Sequence, residues 1–485
     1  MKKPVCFLLT LACLCLPCGV TACAHAEEAR NRYEITVEYV PETATLAGTT
    51  KLTFENRTDE EISTLKFQLY PNAYRKDATY RPVSKAYESA AYYAGESYGE
   101  MVISSVNGAK NWEVMGEDEN VLQVHLERSL YPSEEVVLDI GFLLKLANVH
   151  HRTGVGEHTV NLGNFFPVLC AFDKGGFVET AYYSDGDPFL SECADFQVTL
   201  TLPKEYTAAA TGEISRERTL ERKKEYVFNA SCVRDFAFVL SDEFKVIKTE
   251  TSGNVVEYYY YSDKNPQASL AVAAESFAYY EKTFGEYPHA VYKVAQTGFC
   301  LGGMEYPCLS MISDALWENK TAQARAIAHE TAHQWWYGAV GSNPIENAWQ
   351  DEGLAEYSAI TFFENYEKYG ITREDAVRDS LKEYRSYYDV YGSVLGRTDT
   401  RMTRHLKEYL SDYEYKCLSY DKAVVMFDTL RKSVGEEKFF AGLKKYYKEN
   451  KGKIATPESL IGAFERTGVD ANGFFDSFLS GKAIL

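Results

Sequence analysis

HETAHQWWYG, residues 329–338, followed by Glu352, is the stretch that decides the fold of this 485-residue chain. The run from Thr321 to Tyr337 contains neither Gly nor Pro, so we predict a helix there. On a helix, residues i and i+4 lie on one face, about 6 Å apart along the axis. His329 and His333 can therefore bind one metal ion at about 2.0–2.1 Å each.

Glu352 supplies the third ligand of the predicted site. It lies in the first turn of a second predicted helix, Asp351–Tyr366, with 18 residues between it and His333. Two histidines and one glutamate leave the fourth position of a zinc ion open, as catalytic sites do, whereas structural sites are closed. Glu330 flanks the metal, where a carboxylate can take a proton from zinc-bound water. Two histidines with a purely structural role would give the same five-residue motif, but the presence of Glu352 as a third ligand favours a zinc hydrolase.

Three separated motifs together resemble the gluzincin zinc aminopeptidases, the family related to aminopeptidase N and leukotriene hydrolase. The first is the zinc motif with Glu352 in WQDEGLAEY at the family spacing. The second is GGMEY, residues 302–306, which is similar to the family's exopeptidase motif. The third is SYDKA, residues 419–423, which is similar to its catalytic tyrosine segment. The resemblance covers about residues 250–485 strongly.

The resemblance implies one Zn²⁺ per chain, held by His329, His333 and Glu352. Zinc would lower the pKa of its water toward ~7, and Glu330 would act as general base. The tetrahedral oxyanion of peptide hydrolysis needs a donor besides the metal. By resemblance that donor is the hydroxyl of Tyr420, one of 37 tyrosines, which only its place in SYDKA singles out.

The same resemblance assigns substrate binding to the GGMEY segment. A carboxylate at Glu305 would pin the cationic α-amino group of a peptide one residue from the scissile bond. Gly302 and Gly303 would let the substrate backbone lie as an added strand beside Met304. Family members add a second amine-binding polar residue from the N-terminal domain, and we predict Asn161 for this role.

Two departures from the family pattern affect these expectations. Tyr306 stands where classical members often carry Asn, which we expect to be tolerated because Glu305 carries the charge. The chain also stops at Leu485, soon after the last predicted helices. We therefore expect a short, bacterial-type member without the large helical C-terminal domain, and a cleft more open to longer peptides.

The pattern of apolar and polar residues changes from strand-like to helical along the chain, which predicts a multidomain α+β protein. A β-rich N-terminal domain is predicted for residues 27–262, and an α-rich, thermolysin-like zinc peptidase domain for residues 263–485. The predicted strands are Tyr33–Val40, Leu46–Glu55, Val121–Glu127, Val136–Leu146, Phe196–Leu202 and Val255–Tyr261. The predicted helices, besides the two above, are Ala268–Phe284, Asp421–Val434, Glu437–Tyr447 and Pro457–Thr467.

Residues 1–26 are predicted to form a targeting signal. A short basic start precedes the apolar run Val5–Leu16, which is too short to span a membrane. Ala24-His25-Ala26 offers a signal-peptidase site, while Val20–Cys23 resembles a lipobox that would leave Cys23 lipidated. We predict an exported protein, secreted or on the cell surface, whose only membrane contact would be that lipid anchor.

Composition narrows the partners. The formal charge of −19, from 51 basic and 70 acidic residues, argues against nucleic-acid binding. Six cysteines lie beyond the targeting segment, an even number that permits disulfides in an exported chain. Cys300 and Cys308 bracket GGMEY and could form a bridge or remain small buried side chains.

Three functions compete on these observations. The leading prediction is an exported aminopeptidase acting on peptides with a free N-terminus. A zinc endopeptidase or another zinc hydrolase is the second, although Glu305 would then lie unpaired beside an internal peptide bond. A catalytically silent surface binding protein is the third, and the joint presence of Glu330, Glu305 and Tyr420 argues against it.

Overall fold

The computed structural model describes residues 30–173 and 175–485. The predicted targeting segment, with its cleavage site and Cys23, lies outside the described residues. Strands dominate the first half of the described chain and helices the second half. The predicted α+β fold class is therefore confirmed.

A seven-stranded sheet is the largest element of the N-terminal half. Its centre is strand Asn31–Val40, whose side chains alternate between buried and exposed, as expected for a period of two. This strand pairs in parallel with Ala194–Pro203 and antiparallel with Thr45–Glu55. The strands in spatial order are Glu213–Thr219, Lys223–Val233, Ala194–Pro203, Asn31–Val40, Thr45–Glu55, Glu135–Lys145 and Glu100–Asn107.

Two four-stranded sheets complete this half, and one apolar core joins them to the large sheet. The first contains Val168–Leu169, Ile62–Gln68, Val121–Leu130 and Ala109–Met115. The second contains Thr207–Ala210, Phe238–Ser241, Val160–Leu162 and Thr153–Val155. A short hairpin pairs Phe172–Asp173 with Gly176–Phe177.

A five-stranded mixed sheet begins the catalytic half. Its strands, in spatial order, are Lys245–Thr251, Asn254–Tyr260, Val291–Thr297, Leu309–Ser313 and Gly303–Met304. The predicted domain boundary at 262/263 cuts through this sheet, because Asn254–Tyr260 pairs with Val291–Thr297. The first strand of this sheet begins at Lys245. Gly303–Met304 forms one edge, since it pairs only with Leu309–Ser313.

Helices cover one face of this sheet and form most of the rest of the chain, whereas the other face packs against the core of the N-terminal half. The predicted helix Thr321–Tyr337 is divided into an α-helix, Lys320–Ala332, and a π-helical turn, Gln334–Ala339. The other helices of eight or more residues are Pro266–Phe284, Trp349–Asn365, Arg373–Leu395, Lys422–Val434, Glu436–Asn450, Pro457–Glu465 and Asn472–Leu479. Within residues 30–173 and 175–485, no helix is both long and apolar enough to cross a membrane.

The sequence prediction missed the longest of these helices, Arg373–Leu395. Its buried face consists of Ala376, Ser380, Tyr384 and Tyr387, at helical spacing. These small, hydroxyl-bearing and tyrosine side chains do not form an apolar stripe that the sequence would show. Tertiary packing nevertheless buries them. The helix packs against Lys422–Val434 and the turn that carries Tyr420.

Candidate active site

Three side chains predicted to bind metal meet between two helices. The Nε2 atoms of His329 and His333 lie 3.0 Å apart, and Glu352 Oε2 lies 3.3 Å and 3.2 Å from them. All three residues are buried. Ligands on a tetrahedral zinc ion at ~2.05 Å would be separated by roughly 3.3 Å. Both the donor set and its spacing therefore fit one zinc ion.

The second ring nitrogen of each histidine is fixed by a neighbour. His329 Nδ1 lies 2.9 Å from Glu356 Oε2, and His333 Nδ1 donates to the Trp336 carbonyl at 3.1 Å. These contacts leave both Nε2 atoms available for the metal. Burial alone would lower the pKa of His329, yet hydrogen bonds with Glu352 and Glu356 raise it well above its usual value.

Glu356 was not predicted from the sequence. It lies one helical turn after Glu352 on Trp349–Asn365, so both carboxylates face the helix that carries the histidines. The i+4 spacing of two glutamates is the signal that could have found it.

Glu330 is buried beside the ligands, and its Oε2 has no hydrogen-bond partner within the described protein. Burial raises the pKa of this carboxyl to about 7, against the opposing charges of His329 and His333. A Cβ at Gly303 would lie 2.4 Å from Glu330 Oε1, so only glycine fits there. The orphaned oxygen and the close backbone place Glu330 where a general base for water must stand.

Glu305 follows the edge strand Gly303–Met304 and reaches the same pocket. Its carboxylate lies within 4.8 Å of donor atoms of Glu330 and His333. Burial raises the pKa of Glu305 well above its usual value, and the charge of Asp187 adds to the rise. A pocket that contains this much negative potential favours a cation.

Tyr420 approaches the metal ligands from the π-helical turn Cys417–Asp421. Its ring stacks on that of His329, with centroids 5.7 Å apart and planes at 18°. Burial raises the pKa of the Tyr420 hydroxyl well above its usual value, and the Glu352 carboxylate adds to the rise. The hydroxyl therefore keeps its proton at neutral pH and can act as a donor.

Comparison with known proteins agrees with this geometry. Residues 268–478 match the peptidase family M1 domain. This part of the chain is a peptidase family M1 domain. An M1 zinc metallopeptidase from Deinococcus radiodurans shares the fold, with a TM-score of 0.65 and 18% identity, over 94% of each chain. A mutant of the Deinococcus enzyme bound to a Tyr-Ser-Ala substrate gives a TM-score of 0.64 at 16% identity, over 94% of this chain and 95% of that one.

Sequence relatives of this protein are longer. Aminopeptidase 2 of Saccharomyces cerevisiae is 25% identical over 58% of this chain and 30% of its own length. Leukotriene A-4 hydrolase of Xenopus laevis is 26% identical over 37% of this chain and 29% of its own length. The match thus spans less than a third of the length of these two relatives.

The N-terminal half of the protein contributes an ion pair that the sequence did not indicate. Asp187 pairs with Arg152, and Arg152 also contacts Met304 Sδ through its Nε at 3.2 Å. The Arg152 side chain is buried, with 4% exposed, and that of Asp187 is mostly buried, with 14% exposed. Asp187 lies close enough to the site to raise the pKa of Glu305. Residues 186–188, Gly-Asp-Pro, have the composition of a turn, and nothing in it marks a buried charge.

Asn161 does not join the groups that meet at the metal centre. Its Nδ2 donates to the carbonyl oxygens of His151, at 2.9 Å, and Gly298, at 3.3 Å. Its Oδ1 accepts from the Thr297 hydroxyl at 2.6 Å. Both ends of the buried amide are therefore used within the protein, which fits a structural role better than the predicted amine-binding role.

Tyr306, the departure from the family pattern, connects the two halves of the protein. Its hydroxyl donates to Asn164 Oδ1 at 3.1 Å, and Asn164 Nδ2 donates to Asp235 Oδ2 at 2.5 Å. A Cβ at Gly163 would lie 1.8 Å from the Tyr306 oxygen, so the ring needs that glycine. This hydrogen-bonded chain holds the segment after Glu305 against the N-terminal half.

Proposed function

We propose that this protein is a zinc-dependent aminopeptidase that releases N-terminal residues from peptides. The observation that carries the proposal is the position of Glu305, whose carboxylate lies within 4.8 Å of donor atoms of both Glu330 and His333. A carboxylate so close to the general base leaves room for about one residue between the bound amine and the bond that is cut.

The donor set and the open side of the site support hydrolysis. When zinc is bound, it lowers the pKa of a water ligand and polarises the scissile carbonyl. Glu330 accepts the proton of the attacking water and can deliver it to the leaving amine. Tyr420 donates to the oxygen on which negative charge develops. Gly303–Met304 offers an unpaired strand edge along which a peptide backbone can bind.

Negative charge near the amine-binding position has two sources. Glu305 belongs to the catalytic half, and Asp187 reaches the pocket from the N-terminal half. Because Arg152 neutralises Asp187, the net charge facing a substrate amine comes mainly from Glu305. Relatives named aminopeptidases support the proposed activity.

We also propose that the protein acts outside the cytoplasm, because residues 1–26 have the basic start, apolar run and cleavage site of an export signal. Whether Cys23 carries a lipid is decided by the mass of the N-terminal peptide from cells. A diacylglycerol-modified Cys23 would support the anchored form, an N-terminus at Glu27 the secreted form, and an intact Met1 would contradict export.

The activity is tested with amino-acid 4-nitroanilides and with a short peptide in free and N-acetylated forms. We expect the zinc-loaded protein to cleave the free peptide, and acetylation to reduce kcat/KM at least about 100-fold. The Glu330→Gln variant should retain one zinc and lose about 10²–10⁴-fold in kcat.

The matched variant is Glu305→Gln, which keeps both the ligands and the base. It should lose most of its activity on free peptides while its slow cleavage of the acetylated peptide persists. Equal cleavage of free and acetylated peptides by wild type would replace the proposal with an endopeptidase. Zinc binding without turnover of any substrate would favour the binding protein.

A further inference from the structure

Two cysteines far apart in sequence lie at the ends of two neighbouring strands of the large sheet, away from the zinc site. Cys193 directly precedes strand Ala194–Pro203, and Cys232 lies one residue before the end of Lys223–Val233. Ala194 pairs with Val233, but the next paired residues are Phe196 and Ala230. The extra residue forms a bulge, and it leaves Cys232 with a φ of 55° beside Cys193.

The strand register brings the two cysteines next to each other, because Ala194 pairs with Val233 and each cysteine directly precedes one of these partners. The Cys232 backbone N–H donates to Asp195 Oδ1 at 2.9 Å, which holds the bulge against the start of the neighbouring strand. The neighbouring Cys232 thiol lowers the pKa of Cys193 to about 6. By contrast, burial raises the pKa of Cys300 and Cys417. In the described chain all six thiols are free, including Cys300 and Cys308, so no bridge across GGMEY is formed.

Both cysteines border one cleft, although the Cys193 side chain is itself buried. Cys193 and Cys232 line a cleft of 1780 Å³, which Asn343 and Lys453 line from the catalytic half. Cys232 is partly exposed. A cleft of this volume exceeds an ordinary small-molecule site, so a small disulfide reagent can enter.

The strand ends that carry the pair also join the two halves of the molecule. Arg234 follows the bulge and donates through Nε to the Tyr337 carbonyl oxygen at 2.5 Å and through Nη2 to the Lys453 carbonyl oxygen at 3.3 Å. Its Nη1 donates to the Ser191 carbonyl oxygen at 3.3 Å, two residues before Cys193. A covalent bond between residues 193 and 232 would therefore also restrain Arg234. This side chain holds the π-helical turn Gln334–Ala339 through its hydrogen bond to Tyr337.

We propose that Cys193 and Cys232 form a reversible disulfide that stabilises this joint between the two halves. The Cys193 thiolate attacks one sulfur of an external small-molecule disulfide and releases a thiolate. The Cys232 sulfur, on losing its proton, then attacks Cys193 Sγ in the mixed disulfide and releases the second thiolate. Two protein thiols lose two protons and two electrons, and one external disulfide is reduced to two thiols.

Peptide mapping of the full-length protein tests the pairing directly. Trypsin places Cys193 alone in residues 175–204 and Cys232 alone in residues 225–234. After equilibration with oxidised glutathione and alkylation without reductant, we expect these two peptides as one cross-linked species that dithiothreitol separates. Recovery of both peptides alkylated, or of either one bonded only to glutathione or to another cysteine, would overturn the proposal.

Thermal unfolding tests the consequence. Oxidation should raise the Tm of wild type by about 5 °C. Cys193→Ser and Cys232→Ser should each abolish this shift, whereas Cys300→Ser should retain it. If one serine variant fails to fold, the other and the wild-type peptide map still decide. A shift that persists in a folded Cys193→Ser protein, or no shift in cross-linked wild type, would contradict the proposed role at the joint.

Discussion

The two halves of this molecule contribute to one site in different ways. The catalytic half presents His329, Glu330 and His333 from a single helix, and all three lie within five residues of sequence. The N-terminal half contributes Arg152 and Asp187, which are 35 residues apart and lie on segments without regular helical spacing. Side chains that a helix brings together can therefore be recognised from their spacing in the sequence. The position of a charged side chain on a loop instead depends on the whole fold.

The difference also concerns the neighbours of each group. Around the metal ligands, each side chain has partners on the same helix or on the next one. The Arg152–Asp187 pair instead depends on packing between the halves, because Arg152 contacts Met304 of the catalytic sheet. This comparison leads to three predictions beyond the activity test.

The largest effect is expected from Asp187→Asn. Removing one partner of a buried ion pair leaves the Arg152 guanidinium uncompensated, which costs about 3–5 kcal/mol of unfolding free energy. Urea unfolding with zinc bound measures this loss. The double variant Arg152→Met/Asp187→Asn should recover a large part of it, because no buried charge remains. If Asp187→Asn is as stable as wild type, the ion pair between Arg152 and Asp187 does not stabilise the packing between the two halves.

A smaller effect is expected from Glu356→Gln. Loss of the carboxylate that orients His329 should weaken zinc binding about 10–100-fold, measured by competition with a chelator. The exposed Glu367, just beyond the same helix, provides the control Glu367→Gln, which should leave the zinc affinity unchanged. Unchanged affinity in Glu356→Gln would show that His329 is held by packing alone.

The smallest effect concerns pH and the connection through Tyr306. Burial raises the pKa of Asp235 to about 7, whereas an unfolded Asp titrates near ~3.9. Its contribution to stability is therefore fully present below about pH 4 and is lost as the pH rises through about 7. Asp235→Asn should reduce the decline in unfolding free energy between pH 5 and pH 8 by about 1–3 kcal/mol.

Denaturant titrations at the two pH values measure this change. Asp139→Asn, at an exposed carboxylate of the same half, should leave the decline as in wild type. If the unfolding free energy declines equally in wild type and in Asp235→Asn, the titration of Asp235 does not control the stability of the connection through Tyr306.

The sequence predicted those parts of the molecule whose signal is periodic and local. The zinc ligands, the base and the order of a β-rich half before a helical half are of this kind. The sequence did not indicate that Lys245–Thr251 and Asn254–Tyr260 belong to the catalytic sheet, because the partner strand Val291–Thr297 follows only after a whole helix. The amine-binding role of Asn161 stays a prediction, and the sequence did not indicate that its amide hydrogen-bonds with backbone carbonyls and with Thr297.

Strand Asn31–Val40 has a consequence for the order in which the chain assembles. It stands in the middle of the seven-stranded sheet, and its parallel neighbour is Ala194–Pro203. During synthesis, which proceeds from the N-terminus, this strand must wait with one hydrogen-bonding edge open until residue 203 has emerged. Pairing so distant in sequence is slow to form. The half of the protein that is made first is therefore completed late, and until then the chain can still be threaded through a narrow channel.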